Sequence, residues 1–320
     1  MTNLLPLNVL KNETMELVLK GIIPPVVTPL LSSGKLDING LEKLVEHLLT
    51  GGVHGLFMLG TTGEATSLSY PLRKELLKRT CEFVNHRIPV VAGITDTSLE
   101  GSVEMAAYAA QIGVDGLVVA PPYYMPISQE EMRDYLENLV PGLPLPFMMY
   151  DMPSCTKLHM SVETIKKAKE LGAIGVKDSS GDITYLYALI EEFKSSPEFA
   201  VITGTELFLP ETILHGGHGA VAGGANLFPK LFVDLYDASV KRDFDKISLL
   251  REKVMLLNDT IYSVGKHQSR IVKGIKCALS VMNICDDYMA MPLRRYGKEE
   301  RIKIERYVNE LNVSFRNDER

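Results

Sequence analysis

The sequence predicts an α/β protein, a closed (β/α)8 barrel of the TIM type with a helical C-terminal extension. Three observations carry this: eight short, continuously apolar runs, longer amphipathic runs between them, and a final stretch with no strand-like run. A strand buried on both faces reads as an unbroken apolar run. Such runs alternating with helical periodicity mark repeated βα units around a parallel sheet.

In chain order the strand candidates are IIPPVVT (22–28), GLFMLG (55–60), IPVVAGI (88–94), GLVVAP (116–121), PFMMYD (146–151), AIGVKD (173–178), FAVITG (199–204) and GAVAGG (219–224). Helix candidates lie between them at Ile38–Leu49, Pro71–Val84, Ser98–Ile112, Ser128–Val140, Ser161–Leu171, Asp182–Phe193 and Phe228–Val240. Several open on a capping residue, such as Ser128 before QEEM, and several stop at glycine, such as Gly113 and Gly172. No GxGxxG fingerprint marks the switch point of an open sheet, so closure is the better reading. From about Asp243 to Asn312 the chain reads as two or three helices. The expected organisation is an N-terminal arm at 1–20, a catalytic barrel at 21–242 and a helical extension at 243–320.

Composition narrows the function. The chain has 320 residues, 46% of them hydrophobic, enough for a large core and against a disordered or fibrous protein. A formal net charge of -6 gives no overall cationic field for nucleic acid or anionic lipid. Cys81, Cys155, Cys277 and Cys285 show no CxxC spacing, which argues against a disulfide framework or structural zinc and suits a reducing, cytoplasmic setting. The first twenty residues lack the pattern of a signal peptide, and no apolar run approaches the length of a membrane span.

In such a barrel the reacting groups project from the C-terminal ends of the strands. Lys177 ends AIGVK, Tyr150 ends PFMMY, and GTTGE (60–64) follows GLFML. A lysine on an interior strand either forms a structural ion pair or acts as a neutral amine nucleophile. The second role asks burial to bring its pKa from about 10.4 to near neutrality, about 4 kcal/mol of differential solvation. Tyr150 either packs the barrel mouth or shuttles protons beside that lysine. The loop Gly60-Thr61-Thr62-Gly63-Glu64 offers hydroxyls and successive backbone N–H groups to a small carboxylate, although by itself it is also an ordinary tight turn.

Together these elements resemble the dihydrodipicolinate synthase and N-acetylneuraminate lyase superfamily. GIIPPVVTPL, LGTTGE, VVAGI, PPYY, YDMPS, GVKDSSGD and GGHGAVAGGAN match in order and spacing from about Gly21 to Asn312. The resemblance implies a Schiff-base lysine at Lys177 and a general acid/base at Tyr150. It implies that Thr61 and Thr62 hold the pyruvyl carboxylate, with Thr62 linking hydroxyls toward Tyr150. Tyr124 would reach across an interface to complete a proton relay, so a homodimer or homotetramer is expected. Gly204 and Val221 would line the pyruvate pocket with their backbone.

Departures concern the substrate. Cys155 stands where the synthase branch has an arginine for aspartate semialdehyde, and a thiol cannot form a bidentate fork. SRIVKGIKCALSVMNI resembles lyase and sugar-acid aldolase tails. Glu206 falls where the sialate lyase branch binds substrate hydroxyls, while Gly223 replaces a serine there. The implied activity is therefore a class I aldolase that cleaves a 2-oxo sugar acid to pyruvate and an aldehyde, with no metal or diffusible cofactor. The alternatives are dihydrodipicolinate synthase, a deoxy sugar acid dehydratase, or a non-catalytic sugar-acid sensor. A metal-dependent aldolase would need clustered His and carboxylates at strand ends, and His215 and His218 read as a turn. His159 and Cys155 near the mouth lack a visible orienting group for a Cys–His nucleophile. Asp178, Ser179, Ser180 and Asp182 read as the start of a helix, with Ser179 or Ser180 within reach of substrate.

Overall fold

A computed structural model describes residues 17–32 and 34–317. Eight strands form one all-parallel sheet: β1 (Gly21–Ile22), β2 (Leu56–Met58), β3 (Val90–Gly93), β4 (Gly116–Val119), β5 (Phe147–Asp151), β6 (Ala173–Asp178), β7 (Ala200–Thr203) and β8 (Gly219–Ala220). From β2 to β8 each pairs with its sequence neighbour, and β8 returns to pair with β1. The ring closes between β1 and β2 by a single bridge, Pro25 to Phe57, where the Val26 amide donates to the Phe57 carbonyl at 2.9 Å. Pro24 and Pro25 explain why the expected 22–28 strand shrinks. Proline supplies no N–H to a ladder, so pairing stops after two residues.

Helices cover the outside: α1 (Ile38–Thr50), α2 (Tyr70–Val84), α3 (Leu99–Gln111), α4 (Gln129–Leu139), α5 (Val162–Glu170), α6 (Ile183–Glu192), α7 (Leu209–Leu214) and α8 (Pro229–Lys241). Their starts follow the capping residues read in the sequence. Ser128 and Glu131 form a reciprocal capping box, and Asp182 accepts from the Thr184 and Tyr185 amides. Gly113 and Gly172 follow α3 and α5 at φ 85 and 101, a region open to glycine at little cost. The helix α7 has no counterpart among the sequence candidates, because six residues give no readable period. The antiparallel pair Leu30–Ser32 and Lys35–Leu36, between β1 and α1, was not expected either.

Strand side chains alternate between two apolar layers. Ile23, Phe57, Val91, Val118, Met148, Tyr150, Ile202 and Val221 fill the barrel. Their neighbours Leu56, Met58, Val90, Leu117, Met149 and Val201 face the helices. This period of two explains continuously apolar strands, since both faces meet hydrophobic partners. Most of the expected arm, 1–16, lies outside the described residues. Its described end does not project from the body: Leu19 is buried in the barrel interior, and Leu17 reaches Gly116 at the start of β4.

The extension after the barrel is three helices, α9 (Phe244–Thr260), α10 (Arg270–Val281) and α11 (Lys298–Asn317). The core continues into it through Leu257, Ile275 and Ile304, each fully buried. Phe232 on α8 is also fully buried in this layer. Replacing it with alanine is expected to lower stability by about 3–5 kcal/mol, read from urea unfolding midpoints at an unchanged m-value. A loss below about 1 kcal/mol would mean that the α8 layer carries little of the stability.

Candidate active site

Lys177 and Tyr150 are direct partners in the β5–β6 ladder, so their side chains leave the sheet on the same face. That face is the barrel interior, at its C-terminal mouth. Lys177 is 4% exposed, and its Nζ lies 3.8 Å from the centre of the Tyr150 ring and 4.9 Å from that of Phe57. Among the described residues no carboxylate pairs with it. Burial removes the water that would solvate the ammonium and pulls the lysine down to about 7. Of the two roles open to this lysine in the sequence, the geometry favours the amine over the ion pair.

The next residues along each strand point the other way. Asp151 and Asp178, both buried, lie behind the site, where burial pushes both carboxyl groups upward. Asp151 accepts from the Met160 amide at 2.9 Å and bonds His159 Nδ1 at 2.6 Å. His159 is therefore engaged by Asp151 and by the Tyr185 ring, and the Cys155–His159 pair weighed in the sequence is not formed.

Burial raises the Tyr150 phenol to about 12, so it stays neutral and available as a proton donor. Its hydroxyl lies 3.3 Å from Thr61 Oγ1. The hydroxyl link that the resemblance assigned to Thr62 is thus made by Thr61, the first of the two threonines. Left-handed residues bracket the loop, Leu59 at φ 56 and Glu64 at φ 57, and this backbone course brings the Thr61 hydroxyl to the phenol.

Gly204 follows β7, and an added Cβ there would fall 1.8 Å from Ser179 Oγ and 3.0 Å from Lys177 Cε. Any side chain would fill the space beside the amine, which is why glycine is required. Ser179 stands at this point with its hydroxyl against Tyr150, whereas the Ser180 hydroxyl accepts from the Asp182 amide as part of a turn. Val221 is buried in the barrel, its amide donating to the Thr203 carbonyl. Tyr124 stays apart from this chain's own site, 88% exposed at φ 86, while its neighbour Tyr123 lines the cavity. His215 and His218 bond the Glu211 carbonyl and the Val201 amide, the turn role expected of them.

A cavity of about 290 Å³ opens above Tyr150, with Phe57, Thr61, Arg73, Tyr123 and Cys155 in its wall. Arg73 was not singled out in the sequence, since a helical arginine carries no signal of facing a barrel mouth. Its Nε donates to the Leu68 carbonyl, and a guanidinium nitrogen lies 3.6 Å from Asp96, which also accepts from Tyr70 at 2.6 Å. Lys157, the other cation near Cys155, is exposed and donates to the Ser154 carbonyl.

In the turn after β7, Glu206 accepts from the Gly224 amide at 2.8 Å. The carboxyl and the adjacent Tyr262 hydroxyl are buried against each other. Burial raises Glu206 to about 7. An added Cβ at Gly223 would come 3.3 Å from the Tyr262 hydroxyl and 3.8 Å from Glu206 Oε2.

The Dihydrodipicolinate synthetase family model matches residues 18–311. A solved structure of dihydrodipicolinate synthase from Bacteroides thetaiotaomicron is similar at 47% identity and a TM-score of 0.88, covering 91% of this chain and 98% of that one. A 4-hydroxy-tetrahydrodipicolinate synthase from Bartonella bacilliformis is 31% identical, over 86% of this chain and 92% of the relative. The putative 2-dehydro-3-deoxy-D-gluconate aldolase YagE of Escherichia coli is 34% identical over 68% of this chain and 73% of the relative. The structure of YagE in complex with pyruvate superimposes at a TM-score of 0.86, over 92% of this chain and 98% of that one, at 28% identity.

An amine at about 7 is half neutral at pH 7, against about 3 parts in 10,000 for an ordinary lysine. Borohydride labelling of Lys177 by a small carbonyl compound should therefore rise about fifteenfold from pH 5.5 to 7 and level off about twofold higher above it, read by peptide mass spectrometry. The sign follows from the depressed value, since the neutral form is complete above it. Labelling that still climbs tenfold per pH unit at pH 9 would place the amine in water.

Proposed function

The chain belongs to the dihydrodipicolinate synthetase family, a family of carbon–carbon lyases, and from that premise we propose that it is a class I, Schiff-base-forming aldolase that reversibly cleaves a 2-oxo sugar acid to pyruvate and an aldehyde. The observation that carries this reading is the buried, partnerless amine of Lys177 against the Tyr150 ring. A neutral amine adds to the 2-oxo carbon, and loss of water from the carbinolamine leaves a protonated imine. That imine withdraws the electrons of the C3–C4 bond as a base takes the proton from the C4 hydroxyl. The aldehyde departs, the enamine takes a proton at C3, and water releases pyruvate and the free amine.

Tyr150 moves these protons, with Thr61 as the next hydroxyl in the chain. Thr61, Thr62 and the amides of their loop hold the pyruvyl carboxylate, and the backbone at Gly204 and Val221 lines its pocket. Tyr124 extends the relay from a second copy in a homodimer or homotetramer, which fits a tyrosine held almost fully exposed. Glu206, near half protonation at neutral pH, both donates to and accepts from substrate hydroxyls, with the Tyr262 hydroxyl beside it. No metal or diffusible cofactor enters any of these steps. The reaction belongs to the cytoplasm.

A second reading, condensation of pyruvate with aspartate semialdehyde, is favoured by the 47% identity to the Bacteroides thetaiotaomicron synthase. Against it stands Cys155 in the position of the branch's arginine. The nearest guanidinium, Arg73, is already engaged by Asp96 and the Leu68 carbonyl.

Borohydride reduction in the presence of pyruvate is expected to add the mass of a reduced pyruvyl group to Lys177 alone; an unlabelled protein or a different labelled lysine defeats the reading. Tyr150→Phe should keep pyruvate trapping but lower kcat for a deoxy sugar acid by about 10²–10⁴. Glu206→Gln should raise KM for the sugar acid while leaving the pyruvate dependence of trapping unchanged. Turnover of aspartate semialdehyde exceeding that of every deoxy sugar acid tested would assign the second reading.

A further inference from the structure

The fifth residue of the GTTGE loop turns away from the cavity. Glu64 is 5% exposed, and its carboxylate meets two groups from the C-terminal extension. Oε1 accepts from Lys276 Nζ at 2.7 Å, and Oε2 accepts from the Ala290 amide at 2.7 Å. Lys276, on α10, is fully buried, and 212 positions separate it from Glu64. Removing two charges from water is costly, and an apolar pair of similar shape commonly holds a fold as well. An ion pair of this kind fixes direction, because each carboxylate oxygen is tied to one donor.

That direction passes to the site through a short path. Glu64 sits at φ 57, a region that non-glycine residues keep only where the surroundings enforce it. Its amide donates to the Thr61 carbonyl at 3.0 Å, and the Thr61 hydroxyl meets the Tyr150 phenol. Thr28 Oγ1 holds the Gly63 carbonyl at 2.7 Å from the barrel side. Only the Glu64 carboxylate anchors the loop from the extension side by a charged group among the described residues.

We propose that Glu64 and Lys276 are positioning residues for the reaction: their buried ion pair, with the Ala290 amide, sets the backbone of the Gly60–Glu64 loop so that Thr61 meets Tyr150 and the loop amides meet the substrate carboxylate. The extension is then a working part of the active site, although none of its side chains in this contact touches substrate. This rests on the aldolase reading above.

The test uses the full chain and pyruvate as probe, with borohydride trapping on Lys177 measured against pyruvate concentration. Three variants are compared: Lys276→Met, the charge-free pair Glu64→Gln with Lys276→Met, and Lys276→Arg. Melting curves are recorded alongside, and trapping is done well below the lowest midpoint. Lys276→Met and the charge-free pair should raise the half-saturating pyruvate concentration about tenfold or more, the scale on which small misplacements act. The charge-free pair should melt near the wild type, and Lys276→Arg should lie between wild type and Lys276→Met in its pyruvate dependence.

Folded variants whose half-saturation stays within about twofold of wild type would overturn the proposal, because the pair would then serve stability alone. So would failure of all three to fold. If the wild type itself is not trapped, the aldolase reading falls and this proposal falls with it. Trapping of the wild type with unchanged variants defeats only the positioning role.

Discussion

The desolvation of one amine is the constraint on which the rest of the molecule depends. The Lys177 amine is neutral near pH 7 only if water is kept from it, and exclusion from water requires walls on every side. A closed ring of eight strands supplies those walls. Phe57 and Tyr150 press against the amine, and Ile202 and Val221 continue the lining. An open sheet would leave one side of the lysine to solvent and return it toward its ordinary value.

Keeping carboxylates away from the amine is the second half of the same constraint. Asp151 and Asp178 adjoin Tyr150 and Lys177 in sequence, yet strand alternation turns them outward, where His159 and backbone amides receive them. A carboxylate on the inner face would hold the lysine charged. Glu64 is likewise drawn away from the cavity toward Lys276. The carboxylates next to the amine thus lie on the far side of the strands and loops, and around Lys177 the cavity presents hydroxyls and backbone.

The outer part of the mouth is less uniform. One wall carries Cys155, Tyr123 and the paired Arg73, and after β7 the Glu206 carboxyl is buried beside Tyr262. A thiol and an engaged guanidinium offer little to a carboxylate, whereas a carboxyl near half protonation beside a phenol suits hydroxyl groups. On the proposed aldolase chemistry, this asymmetry is where a preference for a polyhydroxylated partner would arise.

The strands, all but one of the barrel helices and the positions of Lys177, Tyr150 and the GTTGE loop were legible in the sequence, because each depends on local pattern: apolar runs, caps, and a polar residue ending a strand. What local pattern could not show was contact between distant segments. The choice of Thr61 over Thr62 at the phenol follows from left-handed residues flanking the loop, a backbone course that no composition reveals. Arg73 at the cavity wall and the helix α7 were likewise silent, the first an ordinary helical arginine and the second too short to show a period. The sequence by itself determined that an amine would sit inside a barrel beside a phenol, since period and spacing are properties of neighbours along the chain. Only the tertiary structure decided that Lys276, from the extension, would close on Glu64, because a buried charge finds its partner through space and sequence separation places no limit on which one it finds.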